Sequence, residues 1–172
     1  MPLSRQTFRK KSLPKVTIYT DGACLGNPGP GGYGVILEFN GQTIKKSGGF
    51  RLTTNNRMEL MGPIIGLESL KKKCRVTVYS DSRYVVDAFE KGWARRWKEN
   101  GWKRNSKDAA LNPDLWGRLL RLCAQHEVEF QWVRGHNGHA ENEECDGLSN
   151  QAAQGKDLEI DAGYENVSGR LI

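Results

Sequence analysis

The chain has 172 residues, of which 37% are hydrophobic and 27% are charged, a composition typical of one soluble globular domain. It contains no apolar run of the ~18 residues that a membrane span requires, no repeat period, and no C-x-x-C pair among its four cysteines. These features argue against a membrane protein, a repeat array, a zinc ribbon and a disulfide scaffold. We therefore expect a cytoplasmic protein that has no membrane partner. We also expect a monomer, because no large apolar face argues against one.

The net formal charge of +6 is concentrated in two segments. Residues 91–107 contain seven basic side chains and one acidic one, and residues 1–15 contain five basic side chains and no acidic one. This distribution predicts an anionic partner that binds at a defined surface. We interpret residues 1–15 as a disordered basic arm, with a short transit peptide as the alternative, because the arm lacks the apolar core of a secretory signal.

Alternating apolar residues and turn residues predict an antiparallel meander near the start of the chain. Residues 16–20, 33–39 and 42–52 have strand patterns, and Asn40–Gly41 is typical of a two-residue hairpin turn. The stretch 22–34 is rich in glycine and proline, so we expect a loop there.

The remaining pattern alternates between helices and strands. A helix is predicted over 55–73, with Asn55 or Asn56 as its N-cap. It is followed by strand 75–80, helix 82–89, a partly helical basic segment 91–107, helix 114–125, strand 127–133 and helix 140–154. This order predicts one α/β domain over residues 16–155, with a five-stranded mixed sheet flanked by helices, and an irregular tail over residues 156–172.

Four acidic residues occupy positions where an acid has no obvious structural role. Asp21 and Asp81 end the first and fourth predicted strands, and Glu59 and Asp146 lie on helices with apolar neighbours. Each one alone is compatible with a turn, a cap or the helix dipole. If the two strands are neighbours, however, the carboxylates meet and require protons or cations. Clusters made only of oxygen ligands select Mg²⁺, with Mn²⁺ as a substitute.

Five blocks of the sequence resemble, in the same order, the motifs of bacterial type 1 ribonuclease H. They are TDGACLGNPGPGGYG at 20–34, TTNNRMEL at 53–60, SDS at 80–82, WVRGH at 132–136 and ENEECD at 141–146. The resemblance implies a ribonuclease H-like fold and an endonuclease that hydrolyses the RNA strand of an RNA–DNA hybrid and leaves 5′-phosphate ends. It also implies that two Mg²⁺ ions are held by Asp21, Glu59, Asp81 and Asp146.

The resemblance further implies that His136 assists proton transfer or product release from a glycine-rich loop. The ordinary histidine pKa near 6.5 suits that task. One alternative is an exposed loop histidine without a role. Another is a zinc site made by His136, His139 and Cys145, which is disfavoured because H-x-x-H on a loop is a weak signal beside so many hard oxygen ligands.

Recognition of RNA requires contact with the 2′-hydroxyl group, which both donates and accepts hydrogen bonds. The amides of Asn27, Asn55 and Asn56 can do both, and the resemblance implies that they contact the minor groove near the cleavage site. The structural alternatives are a turn residue for Asn27 and a helix cap for Asn55 or Asn56.

The basic segment interleaves tryptophans with cations and resembles the family's basic protrusion, which holds the DNA strand. We assign packing to Trp93 and nucleic-acid contacts to other members of the segment, namely Trp97, Trp102, Lys98 and Lys103. Contacts to the phosphate backbone carry no sequence information, so we expect cleavage without sequence preference.

Two rival hypotheses are a hybrid-binding module without activity and a broader metal nuclease of the same superfamily, acting on DNA or as part of a reverse transcriptase. The first gives no reason for four acids and a loop histidine. Three residues depart from the family pattern, namely Arg83, Gly147 and Asn150, and none of them replaces a predicted metal ligand.

Overall fold

The computed structural model describes residues 12–135 and 139–167 and shows an α/β fold built on one mixed sheet. In chain order the elements are β1 (Lys15–Cys24), β2 (Gly29–Phe39), β3 (Gln42–Thr53), α1 (Asn55–Glu68), β4 (Arg75–Ser80), α2 (Arg83–Glu90), α3 (Trp93–Glu99), α4 (Pro113–Ala124), β5 (Glu127–Trp132), α5 (Ala140–Ala153) and α6 (Ala162–Glu165). The strand order is β3-β2-β1-β4-β5. The predicted five-stranded mixed sheet flanked by helices is therefore confirmed.

The first three strands form the predicted meander, in which β1 and β3 both pair antiparallel with β2. Asn40 and Gly41 join β2 to β3 with φ angles of 48° and 73°, the left-handed conformation that a tight hairpin turn requires. The crossover through α1 then brings β4 alongside β1 in parallel, and β5 extends the sheet in the same direction.

The prediction of a loop over residues 22–34 is wrong. β1 continues to Cys24 and β2 begins at Gly29, so only residues 25–28 connect the two strands. Glycines are unfavourable in strands by local propensity, but here they let a helix approach each face of the sheet. Tertiary packing therefore overrides the local signal.

Helices α1 and α5 pack on opposite faces of the sheet. On β2, Gly34 faces the backbone of α5 at Cys145, whereas the adjacent Val35 faces α1. The main core lies on the α1 face, where α2 and α4 complete the layer and Trp116 is fully buried. The helices described are all too short or too polar to cross a membrane.

The boundaries of α1 differ from the predicted ones. Thr54, not Asn55 or Asn56, is the N-cap, and its side chain accepts a hydrogen bond from the Arg57 amide at 3.3 Å. The helix ends at Glu68 because short-range hydrogen bonds from Ser69 and Leu70 tighten the last turn.

Residues 156–167, which we expected to form part of an irregular tail, are packed against the domain. Glu159 makes backbone hydrogen bonds with Gly49 and Arg51 of β3, and the short helix α6 follows. Asp161 and Glu165 are both only 4% exposed. Side chains of β3 and α1 pair with this segment and hold it in place. Such pairing produces no periodic pattern in the sequence, so the sequence could not predict it.

A methyl group on Gly34 would lie 2.5 Å from the carbonyl oxygen of Cys145 and 2.8 Å from Cβ of Leu148. We expect Gly34→Ala to lower the free energy of unfolding by about 1–3 kcal/mol, because α5 must move away from the sheet. Denaturant unfolding measures this change.

The matched control is Gly147→Ala on α5, where an added Cβ would meet nothing within 4 Å. This substitution should raise the free energy of unfolding by about 1 kcal/mol, because alanine is the better helix former. Equal effects of the two substitutions would contradict the packing account.

Candidate active site

The parallel pairing of β1 and β4 brings Asp21 and Asp81 together. Tyr19 is the register partner of Tyr79, and each aspartate lies two residues further along its strand direction. The two carboxylates therefore lie side by side at the carboxyl edge of neighbouring central strands. The metal site predicted from the sequence required these two strands to be neighbours.

Glu59 reaches the same point from α1 because Gly22 allows the helix to approach closely. A Cβ on Gly22 would lie 2.6 Å from the amide nitrogen of Glu59 and 2.6 Å from the carbonyl carbon of Met58. No side chain can fit between strand and helix at this point. The glycine after Asp21 is therefore a spacing residue for the third carboxylate.

The helix on the other face, α5, supplies Asp146. It lines the same cavity as Asp21 and Asp81. The side-chain amide of Asn150, one turn later, donates to the carbonyl oxygen of Asp146 at 2.9 Å and to its Oδ1 at 3.1 Å. The departure from the family pattern at Asn150 thus supplies a neutral donor that orients the acid.

The carboxylates crowd one another strongly. Asp21, Glu59 and Asp81 each place an oxygen within 4.8 Å of the others. Burial, followed by the charge of Asp81, raises the pKa of Asp21 to about 8. Burial and then the charges of Asp21 and Asp81 raise the pKa of Glu59 well above its ordinary value. Without cations this cluster retains protons near neutral pH.

This cluster fits a divalent cation. Glu59 Oε2 is buried, and no hydrogen-bond partner exists for it within the described part of the chain. An unpaired buried carboxylate oxygen facing two other acids is costly unless a cation binds it. The donors are oxygens only, the type that hard divalent cations prefer.

Two side chains around the same cavity, Arg134 and Asn142, were not singled out from the sequence, and Asn142 Oδ1 is buried with no partner among the described residues. His139, which entered the sequence analysis only as a possible zinc ligand, lines the cavity as well. All three lie within or beside the quoted motifs, so position in a motif was the available signal. His136 lies outside the described residues.

The three asparagines line one groove with the loop that follows the basic segment. The backbone amide of Asn55 donates to Oδ1 of Asn27 at 3.0 Å, which ties the β1–β2 connection to α1. Because Thr54 caps the helix, the side-chain amides of Asn55 and Asn56 are not used as caps. The capping alternative for these two residues is therefore wrong.

The tryptophans of the basic segment differ in exposure. Trp93 is 39% exposed, with the Lys91 ammonium 5.1 Å from its ring centre. Trp97 and Trp102 are half-buried against the core, and Trp97 meets Trp116 edge to face at 6.0 Å. Helix α3 has only seven residues, too few for periodicity to show which tryptophan faces inward.

The basic segment also carries exposed cations. Lys98 and Lys103 are both exposed. A second groove lies between α2 and α3, lined by aromatic, basic and small side chains, including Tyr84, Trp93, Arg96, Trp97 and Arg104.

The RNase H family model matches residues 14–154, which includes every carboxylate of the cluster. The chain belongs to the bacterial type 1 ribonuclease H family. A ribonuclease H relative, Ribonuclease H of Rippkaea orientalis (strain PCC 8801 / RF-1), is 64% identical over 155 residues, which cover 90% of this chain and 95% of that protein. Ribonuclease H of Syntrophus aciditrophicus (strain SB) is 61% identical over 158 residues, covering 92% and 91% respectively.

The ribonuclease H fold is also found in solved structures. The crystal structure of LC9-RNase H1, described as a type 1 RNase H with the type 2 active-site motif, is 36% identical with a TM-score of 0.74. The match covers 95% of this chain and 84% of that one. Sequence and fold therefore indicate the same family.

In the absence of metal, the buried acids Asp21 and Glu59 should contribute less stability as pH rises. The Asp21 carboxyl has an ordinary pKa of 3.8 and a folded value of about 8. Between these values the folded state holds a proton that the unfolded state has lost, so the contribution of Asp21 to the free energy of unfolding falls from about pH 4 to about pH 8. We expect Asp21→Asn to reduce this fall by at least about 2 kcal/mol in chelator, measured by urea unfolding.

Asp157→Asn, at an exposed position, is the matched control and should keep the wild-type pH dependence. Excess Mg²⁺ should flatten the wild-type curve, because cation binding replaces the protons. Identical pH dependence in wild type and Asp21→Asn would contradict this account of the site.

Proposed function

We propose that this chain hydrolyses the RNA strand of RNA–DNA hybrids without sequence preference and leaves 5′-phosphate ends. Its membership of the ribonuclease H family, a family of hydrolytic endonucleases, supports the reaction class. The observation that carries the proposal is that Asp21 and Asp81 cluster with Glu59 of α1 and share a cavity with Asp146 of α5.

The proposed cofactor is a pair of Mg²⁺ ions, with Mn²⁺ as a substitute. The residues that would hold them are Asp21, Glu59, Asp81 and Asp146. When bound, such a pair lowers the pKa of an attacking water and neutralises the charge that develops on the departing 3′-oxygen. The protein contributes oxygens fixed on two hydrogen-bonded strands and two packed helices, so little reorganisation is needed during reaction.

We assign proton transfer or product release to His136. Support comes from its neighbour Gly135, where an added Cβ would lie 3.0 Å from Oδ2 of Asp81. Gly135 therefore lies against the carboxylate cluster, and His136 is the next residue in the sequence. An unperturbed imidazole, with a pKa near 6.5, can give and take protons near neutral pH.

Recognition of the RNA strand is assigned to Asn27, Asn55 and Asn56. Asn27 and Asn56 are exposed, and all three line one groove beside the turn of α1 that leads to Glu59. An amide can donate to and accept from a 2′-hydroxyl group at once. Their place on the helix that carries Glu59 links recognition of ribose to the position of cleavage.

The DNA strand is assigned to the basic segment. We assign phosphate contacts to the exposed Lys98 and Lys103, and contacts with sugars or bases to the exposed parts of the half-buried Trp97 and Trp102. Exposed Trp93 adds an aromatic face for stacking on a sugar or base. Such contacts bind backbone and rings of any sequence.

We propose that the protein works as a monomer in the cytoplasm. All four cysteines are free, which suits a reducing compartment. The large exposed apolar side chains in the described regions occur on separate elements, including Ile44 of β3, Leu111 before α4 and Ile160 before α6.

The deciding experiment compares matched RNA–DNA, RNA–RNA and DNA–DNA duplexes in Mg²⁺. We expect cleavage of the hybrid's RNA strand alone. Asp81→Asn should lower kcat by at least about 1000-fold, because the cations lose a ligand at the reacting phosphate, while hybrid binding persists. Asp87→Asn, on the adjacent helix, is the control and should keep wild-type turnover.

Each other result has a definite meaning. Binding of the hybrid by wild type without cleavage would favour a binding module. Cleavage of DNA–DNA would favour a broader nuclease. Full activity of Asp81→Asn would exclude the carboxylate cluster as the site of reaction.

A second prediction concerns the basic segment. Replacing Lys98 and Lys103 together by alanine should weaken hybrid binding and reduce the slope of log affinity against log salt by about 1–2, because two phosphate contacts disappear. Turnover at saturating hybrid should stay within about twofold of wild type, since phosphate contacts position rather than react.

The control is Lys72→Ala, which removes an exposed cation before β4, at the opposite edge of the sheet from Asp81. This variant should keep the wild-type salt slope. An unchanged slope in the Lys98/Lys103 double variant would remove the basic segment from the substrate surface.

A further inference from the structure

Arg57 is a buried cation two residues before Glu59. Its side chain is only 3% exposed, and its guanidinium makes paired hydrogen bonds to two carboxylates. Nε and Nη2 donate to the two oxygens of Asp161 at 2.7 and 2.9 Å. Nη1 and Nη2 donate to the two oxygens of Asp114 at 2.9 and 2.7 Å. Such two-pronged pairs fix both distance and orientation.

Asp161 is held from behind by β3. Thr53 Oγ1 donates to Asp161 Oδ2 at 2.7 Å, and both residues are buried. Glu159 exchanges backbone hydrogen bonds with β3 at 2.9 and 3.0 Å. Asp161 therefore fixes Arg57 relative to the sheet. Because Arg57 belongs to the first turn of α1, that turn is fixed as well.

Asp114 connects the same guanidinium to the start of α4. The neighbouring Asn112 also accepts from Arg57 Nη1 at 3.3 Å and donates to the hydroxyl of Tyr84 at 3.2 Å. This stretch directly follows the basic segment. Arg57 thus joins three distant parts of the chain behind the groove that contains Asn55 and Asn56.

We propose that Asp161, acting through Arg57, is a positioning residue that fixes the first turn of α1 for substrate binding. It is buried and takes no part in the reaction. Its effect falls on Asn55 and Asn56, the first two residues of α1, which directly precede Arg57. Glu59 is less dependent on Asp161, because the close approach of the Met58–Glu59 backbone to Gly22 fixes it against β1. This inference rests on the proposed function.

The test is Asp161→Asn in the full chain, assayed on an RNA–DNA hybrid in Mg²⁺ well below the melting temperature of the variant. The neutral amide cannot receive both guanidinium bonds, so the first turn of α1 shifts. We expect KM for the hybrid to rise about tenfold while kcat changes less than about threefold, as for a displaced binding group.

Glu165→Gln is the matched control. Glu165 belongs to the same C-terminal segment, is equally buried and receives two hydrogen bonds from Arg51, yet it makes no contact with Arg57. Both substitutions should lower the melting temperature, but only Asp161→Asn should raise KM. An equal effect on KM in the two variants, or no effect in either, overturns the proposal.

A third variant, Thr53→Val, serves where Asp161→Asn does not fold. It removes one hydrogen bond to Asp161 and keeps both charges, and we expect KM to rise about threefold. A wild-type KM in Thr53→Val then overturns the proposal. Absence of hybrid cleavage by wild type would instead refute the proposed function, which separates the two failures.

Discussion

Electrostatic repulsion within a small buried volume is the constraint on which this structure depends. Two like charges about 4 Å apart repel by about 4 kcal/mol at the effective dielectric constant of a protein surface. Asp21, Glu59 and Asp81 have oxygens within 4.8 Å of one another, and Asp146 faces the same cavity. The fold resists this repulsion by fixing two acids on adjacent parallel strands and pressing one helix on each face of the sheet. The crowded acids therefore lower the stability of the fold at the proposed cation site.

The sequence was informative where a signal is local or where chemistry is unusual. Alternating apolar residues identified β4 with its observed bounds, and Asn40–Gly41 identified the hairpin. The acids stood out because aspartate at the end of a buried strand requires an explanation. Their convergence required the strand order, which periodicity does not contain. The resemblance of five motif blocks to a known family supplied that information.

Prediction from the sequence failed where contacts between distant parts of the chain determine the structure. Gly22 and Gly34 resemble loop residues until α1 and α5 are placed against them. Asp161 lies in a segment without periodicity, and its position is explained by its buried partners Arg57 and Thr53. Trp93 and Trp97 are four residues apart on a short helix, so nothing local distinguishes the ring that faces solvent from the one that faces Trp116.

The unequal surroundings of the indole rings give the molecule two optical signals. Trp116 is fully enclosed, whereas Trp93 is 39% exposed and stands beside Lys91. Indole emission moves to longer wavelength in water, so Trp93 contributes the red edge of the native spectrum and Trp116 the blue edge. Loss of the blue component will report unfolding, so denaturation can be followed by intrinsic fluorescence without a label.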